Sequence, residues 1–169
     1  MNKRYLSVLI ILLVCTFTSC GYRFAVGTKL PGGIKKLGIQ MFENKSRESG
    51  YEVVLTNSLI EEFISKSADT YSSLEKADGF IKGEISRIDI KGITHSNPDI
   101  ATERKAVVFL DVNLVDKSGK LVRQLAKLTD EEAYKVSDNR TTTENNKQNA
   151  LLTVSKRMAE TVYEKLNEY

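Results

Sequence analysis

The chain has 169 residues, with 25 lysines and arginines against 22 acids and a formal net charge of +3. That length is about one domain and can bury a core of its own. The near-balanced, interleaved charge lacks the basic footprint of a nucleic-acid binder. The only cysteines are Cys15 and Cys20, too few for a disulfide framework or a cysteine metal cluster.

Lys3 and Arg4 precede an apolar run from Leu6 to Val14, extended loosely to Phe17. A spanning helix needs roughly 20 apolar residues, so this run fits a signal-peptide h-region better. Thr18-Ser19-Cys20 closes it with small residues before a cysteine, the layout of a bacterial lipoprotein signal. Phe17 stands where such signals usually carry leucine. Cys15 is the poorer cleavage point because Val14 precedes it. The alternatives are an ordinary cleaved signal or an uncleaved anchor. The expected organisation is a signal at 1–19, a tether at 20–33 lipidated on Cys20 with acyl chains such as palmitate, and a folded domain at 34–169. Removing Lys3 and Arg4 leaves a mature charge of about +1.

Pro31-Gly32-Gly33 is a turn signal. Ile34 to Phe42 then alternates with Leu37, Ile39 and Met41 on one face, the period of a strand. Ser49 and Glu52 have capping-box spacing, ahead of an apolar helical stripe of Leu55, Leu59 and Phe63, with Ile60 and Ile64 beside it. Residues 67–77 read as a loop in which Leu74 can pack inward. From Asp78 to Thr94 the apolar parity changes between Ile81–Ile85 and Ile88–Ile90, and a bulge near Ser86-Arg87 reconciles the two sets. His95 to Thr102 is a polar loop. Glu103–Asp116 and Leu121–Val136 form a hairpin through a glycine-containing turn. Ser137–Thr143 is a polar connection. Thr141 and Glu144 repeat the capping-box spacing before a stripe of Leu151, Val154, Met158, Val162 and Leu166.

The order strand-helix-strand-strand-strand-helix predicts an α+β two-layer sandwich, with two helices packed on a mainly antiparallel or mixed four-stranded sheet. Catalysis finds little material. His95 is the sole histidine, and a zinc site would have to be built from carboxylates. The acid runs Glu61-Glu62 and Asp130-Glu131-Glu132 do not converge on a strand or helix. No phosphate-loop fingerprint is present. No enzyme activity, cofactor or metal is expected. A sheet left open on one face offers a binding surface instead. Lys82, Arg104, Arg123 and Lys127 are its candidate basic residues for an anionic ligand, since arginine donates paired hydrogen bonds to phosphate. The alternative is ordinary solvated surface. Ala106, Val107 and Phe109 read as the face opposite Val108 and Leu110, and an exposed Phe109 would mark an interface.

Several runs share an order with one family. They are Cys20-Gly21-Tyr22-Arg23-Phe24, Leu30-Pro31-Gly32-Gly33-Ile34, Phe42-Glu43-Asn44 and Leu55-Thr56-Asn57-Ser58-Leu59 through Phe63. Together they resemble the lipopolysaccharide-assembly lipoprotein LptE family, over roughly Cys20 to Phe63. The resemblance implies an outer-membrane lipoprotein facing the periplasm and acting as a plug within the barrel protein LptD. Its ligand would be lipopolysaccharide, and its anchor would be lipid on Cys20. The strand ending at Phe42–Ser46 also resembles lipoprotein activators of peptidoglycan synthases and curli-secretion lipoproteins. A periplasmic hydrolase is a third reading and would need a catalytic partner near His95.

Overall fold

The computed structural model describes residues 30–93 and 103–168. Cys20 and its signal, most of the tether, and the His95 loop lie outside them. A short 3-10 turn at Pro31–Gly33 leads into β1 (Leu37–Ile39) and β2 (Glu43–Asn44). Helix α1 (Tyr51–Ser67), strands β3 (Gly79–Ile93), β4 (Glu103–Asp116) and β5 (Leu121–Lys135), and helix α2 (Arg140–Asn167) follow. The sheet order is β1-β3-β4-β5, with β2 continuing the β1 lane beside β3. β1 and β2 run parallel to β3, and the remaining pairs are antiparallel. Both helices pack against this mixed sheet. The two-layer α+β sandwich is therefore as expected, with one strand more because the first strand is broken in two.

The break has a steric cause. Ile39 lies opposite Ile81, but Glu43 lies opposite Glu84, so four steps on one side match three on the other. The extra residue inverts the expected alternation. Met41 is turned outward at 58% exposure, and Phe42 is buried at 3%. The Phe42 ring lies flat on Gly83, where an added Cβ would sit 1.8 Å from the Phe42 Cε1 atom. The Phe42 N–H donates to Thr56 Oγ1 (3.2 Å), and that hydroxyl donates to the Glu52 carbonyl (2.6 Å). The strand is thereby fastened to α1.

The bulge expected at Ser86-Arg87 is present. Ile85 faces Leu110 and Arg87 faces Phe109, which leaves Ser86 as the extra residue. Its hydroxyl donates to the Phe109 carbonyl (3.2 Å). β5 carries two irregularities that the sequence did not suggest, at Leu110/Val112 and Leu114/Val115 of the β4–β5 register. At the first, Lys127 takes a positive φ of 58° and its N–H donates to Asp111 Oδ1 (2.8 Å). That shift turns both Leu125 and Leu128 toward the core.

Both helix starts differ from expectation. Gly50, with φ 86°, occupies the N-cap of α1, rather than Ser49. Only the Glu52 half of the capping box forms, its Oε2 accepting from the Gly50 N–H (3.1 Å). Asn139, not Thr141, caps α2 by accepting from the Thr141 and Thr142 N–H groups. The α2 stripe of Leu151, Val154, Met158, Val162 and Leu166 is buried as read, as are Leu55, Leu59 and Phe63. Ile64 and Leu74 are 47% and 48% exposed. Ile64 lies outside the buried stripe of α1, and Leu74 rests on Gly38 rather than in the core.

The fold also begins earlier than Ile34. Leu30 and Ile34 are both buried. Ile34 lies on Gly79, where a Cβ would be 2.5 Å from its Cδ1, and Gly32, at φ 73°, fits against Val122. Asp78 accepts from the N–H groups of Lys35 (3.1 Å) and Lys36 (2.9 Å). The last residues assigned to the tether thus close one end of the core.

The contact between Phe42 and Gly83 makes a coupled prediction. Gly83→Ala is expected to cost about 2–3 kcal/mol through overpacking, and Phe42→Ala about 3–5 kcal/mol. In the Phe42→Ala background the glycine substitution should cost under about 1 kcal/mol, because the clash is gone. Urea denaturation of the four proteins checks this, and additive costs would show that the ring does not depend on the bare glycine.

Candidate binding surface

The β1–β2 lane stops before β3 does. The Lys45 N–H donates to the Ile85 carbonyl (2.9 Å). Beyond that point, Arg87–Ile93 has no strand on this side among the described residues. Asn44 turns the chain away. Its Oδ1 accepts from the Ser46 N–H (2.9 Å) and hydroxyl (2.7 Å). Its Nδ2 donates to the Glu48 carbonyl (2.9 Å) and to Glu52 Oε2 (2.6 Å). The bond from Asn44 is the main reason the Glu52 carboxyl is held below its ordinary pKa.

The turn is held from the other helix as well. Lys147 on α2 pairs with Glu48 (2.7 Å) and Glu144 (3.1 Å). Burial pulls the Lys147 pKa down, but the two carboxylates outweigh it and leave the ammonium above its usual value. Between this pinned loop and the β3 edge runs a groove of about 640 Å³. Loop residues 45–48 form one wall, and residues 87–91 form the other.

The groove is amphipathic. Ile90 is 37% exposed and Ile88 is partly buried. Four cations stand around them, and two are already engaged. Lys45 pairs with Glu84 (2.6 Å), the chief reason its pKa is raised. Arg87 pairs with Asp89 (3.2 Å) and lies over the Phe109 ring, 3.6 Å from its centroid. Arg47 and Lys91 are exposed and make no hydrogen bond or ion pair among the described residues. They give the groove spare positive charge.

The four basic residues expected to share a face do not form one patch. Lys82 is exposed on the sheet face away from the helices, opposite Asn113. Arg104 is exposed on the other face, opposite Gly92 and Tyr134, near the groove's end of the sheet. Arg123 pairs with the buried Leu114 and so points to the helix side. Its Nη1 donates to the Lys165 (2.6 Å) and Glu168 (2.8 Å) carbonyls, which satisfies and neutralises the C-terminal end of α2. Lys127 occupies the β5 bulge. The reading of the apolar trio is also corrected. Ala106 is fully buried on the core side, Val107 is buried at 4%, and Phe109 lies beneath Arg87 rather than free.

Arg47 and Lys91 were not among the expected site residues, and Ile88 and Ile90 were read only as an apolar set of the strand. A usable signal was present in lengths. β3 has 15 residues, or about 50 Å of strand at roughly 3.3 Å per residue, whereas α1 has 17, about 26 Å at 1.5 Å per residue. A strand that outlasts both its neighbour and its covering helix leaves core-parity side chains uncovered. Among the described residues no helix is long and apolar enough to cross a membrane. Among the same residues no group of three acids, histidines or cysteines is placed to hold a metal ion.

No protein-family model matches the sequence, and neither does any curated protein. Solved structures do match. Uncharacterized lipoprotein B from Nitrosomonas europaea superposes with a TM-score of 0.54 at 12% identity, over 83% of this chain and 90% of that one. Rare lipoprotein B from Shewanella oneidensis gives 0.51 at 10% identity, over 75% and 92%. A dodecamer-forming PelC variant from Paraburkholderia phytofirmans gives 0.51 at 12% identity, over 79% and 90%. This chain has their two-layer fold.

Asn44→Ala is expected to destabilise the protein by about 1–2 kcal/mol, the scale of its lost hydrogen bonds. Amide exchange at 45–48 should accelerate far more than exchange in β4. Equal acceleration in both places would show that Asn44 supports the whole domain rather than the groove wall.

Proposed function

We propose that this chain is an outer-membrane lipoprotein of the LptE type, acylated on Cys20 and facing the periplasm. It partners the barrel LptD and helps place lipopolysaccharide in the outer leaflet. One observation carries this reading. Three of the four runs that resemble the LptE family lie among the described residues, on positions that build a fold shared with rare lipoprotein B. Leu30 and Ile34 close the core end, Asn44 turns the first strand into the helix, and Leu55, Leu59 and Phe63 bury the helix face. These are constraints of fold, so residues far apart in the chain support the same assignment.

The geometry suits a tethered protein. The entering segment meets the sheet through Gly32 beside Val122 and Ile34 on Gly79, at the end opposite the groove. The 14 steps from Gly79 to Ile93 span about 45 Å at roughly 3.3 Å per residue. Cys20 precedes Leu30 by ten residues, so a lipid there would tether the chain through the segment that enters at this end. A cysteine carrying two or more acyl chains is held stably, whereas a single chain gives marginal binding.

The likeness to a PelC dodecamer favours a second reading, an outer-membrane lipoprotein that assembles with its own copies, or that activates a peptidoglycan synthase or serves a curli-secretion-like system. Co-purification from outer membranes separates the two. A large barrel protein in near-equal amount supports the first reading; a homo-oligomer or a peptidoglycan synthase supports the second. On depletion the barrel should misassemble and lipopolysaccharide should accumulate in the inner membrane, and normal export after clean depletion would sink the proposal. Cys20→Ala should abolish labelling by radioactive palmitate, and unchanged labelling would refute acylation at that residue.

A further inference from the structure

The two edges of the sheet are protected unequally. β5, the edge on one side, is interrupted at two places, with Lys127 in a left-handed conformation at one of them. Bulges and lysines of this kind blunt an edge against pairing with another chain. On the other side, β1 and β2 cover β3 as far as Ile85. The register from Arg87 to Ile93 against β4 then runs without a break. Among the described residues, the part of β3 beyond Ile85 is therefore a regular edge without a second neighbour.

The direction of its free hydrogen-bonding groups follows from parity. The carbonyls of Ile81 and Ile85 accept from Gln40 (3.0 Å) and Lys45 (2.9 Å) in the β1–β2 lane. In a strand the side-chain face and the direction of the backbone groups alternate together. Ser86 is the single extra residue, so beyond it Ile88 and Ile90 take over the parity of Ile81 and Ile85. The N–H and C=O groups of Ile88, Ile90 and Gly92 thus point into the lane that β2 has left. The groove between this edge and the 45–48 loop provides room. The unpaired Arg47 and Lys91 stand on either side of it.

We propose that this edge is a docking site for an extended, acidic polypeptide strand, which continues the β1–β2 lane by pairing with Ile88–Gly92. Main-chain hydrogen bonds supply affinity in such strand addition, and side-chain pockets supply selectivity. Ile88 and Ile90 receive apolar side chains on the helix side, while Arg47 and Lys91 select for carboxylates. The site does not depend on the lipopolysaccharide reading above.

The test uses the full-length protein and a synthetic peptide of about six residues alternating valine and glutamate, the length of a typical strand. A second peptide carries lysine in place of glutamate. Amide exchange is followed by NMR. The acidic peptide should slow exchange of the Ile88, Ile90 and Gly92 amides by at least about tenfold, while the lysine peptide should not. Ile90→Pro removes an outward N–H without removing a β4 bond, a setting in which an edge strand tolerates proline. It should abolish that protection while the Val108 and Leu110 amides stay slow. The double variant Arg47→Glu, Lys91→Glu keeps the edge and should weaken the acidic peptide by about tenfold or more. Protection by both peptides alike, no protection at saturation, or protection that survives Ile90→Pro would each overturn the proposal. So would a shift of the Ile88 and Ile90 methyl groups by lipopolysaccharide micelles with no amide protected by peptide, which would make the groove a lipid site.

Discussion

Two glycines on β3 set the placement of everything beside it. Ile34 lies on Gly79 and Phe42 lies on Gly83, each so close that a single methyl group would collide. Without side chains at these points, the sheet surface is low enough for the entering segment to bury an aliphatic group and an aromatic ring on it. Between them Ile81 is fully buried. The lane formed by β1 and β2 is thus fastened at both ends by side chains laid on bare backbone rather than by length of pairing. Only five residues in that lane are strand, too few to hold by ladder bonds alone, so burial does most of the work. The inserted residue between Ile39 and Glu43 is the geometric consequence. Phe42 reaches Gly83 only if the alternation slips by one.

The same constraint determines where the lane ends. Once Phe42 is seated and its N–H is tied to Thr56, the next residues must climb from the sheet to the start of α1. Asn44 makes that climb through four hydrogen bonds to Ser46, Glu48 and Glu52. β3 continues regardless, because its partner β4 pairs with it as far as Ile93. The groove is therefore a by-product of two different lengths. A helix-linked strand must leave early, and a hairpin-like pair can run on.

The legible part of this chain was the part governed by periodicity. The α2 stripe, the β3 parity change at Ser86 and the order of elements all follow from apolar spacing, which reports burial directly. What escaped depends on contacts between distant residues. No spacing rule tells that Phe42 rather than Met41 faces inward, since that is decided by Gly83 some forty residues later. Ser49-x-x-Glu52 satisfies the capping pattern, yet Gly50 takes the position because the turn from Asn44 arrives with a positive φ. Arg123 looked available for an anion and is instead occupied by the carbonyls at the end of α2. Charge candidates are the least legible of all, because pairing partners lie on other elements. Arg47 and Lys91 differ from Arg123 and Arg157 only in what the fold places opposite them.

The polarity of the molecule follows from how its two ends are held. At the Leu30 end, Ile34 on Gly79, Val122 against Gly32 and the Arg123 cap combine buried apolar area with satisfied helix carbonyls. Midway, Arg157 on α2 grips Asp130 through Nε (2.8 Å) and Glu132 through Nη1 (2.7 Å). These bonds, Asp130 first, hold the guanidinium's pKa above its already high value. The groove end is held by polar contacts instead. Asn44 holds its turn, Glu48 meets Lys147, Asn139 caps α2, and Asn146 donates to the Lys135 carbonyl (2.9 Å). Such contacts are partly exposed, and each is worth less to stability than the burial of a large apolar side chain. Surfaces that must receive a partner are drawn from that class of structure, because docking requires groups that are ordered yet not already satisfied. The end where Leu30 enters is closed by apolar burial, and the far end of the same sheet keeps polar groups whose partners come from several elements.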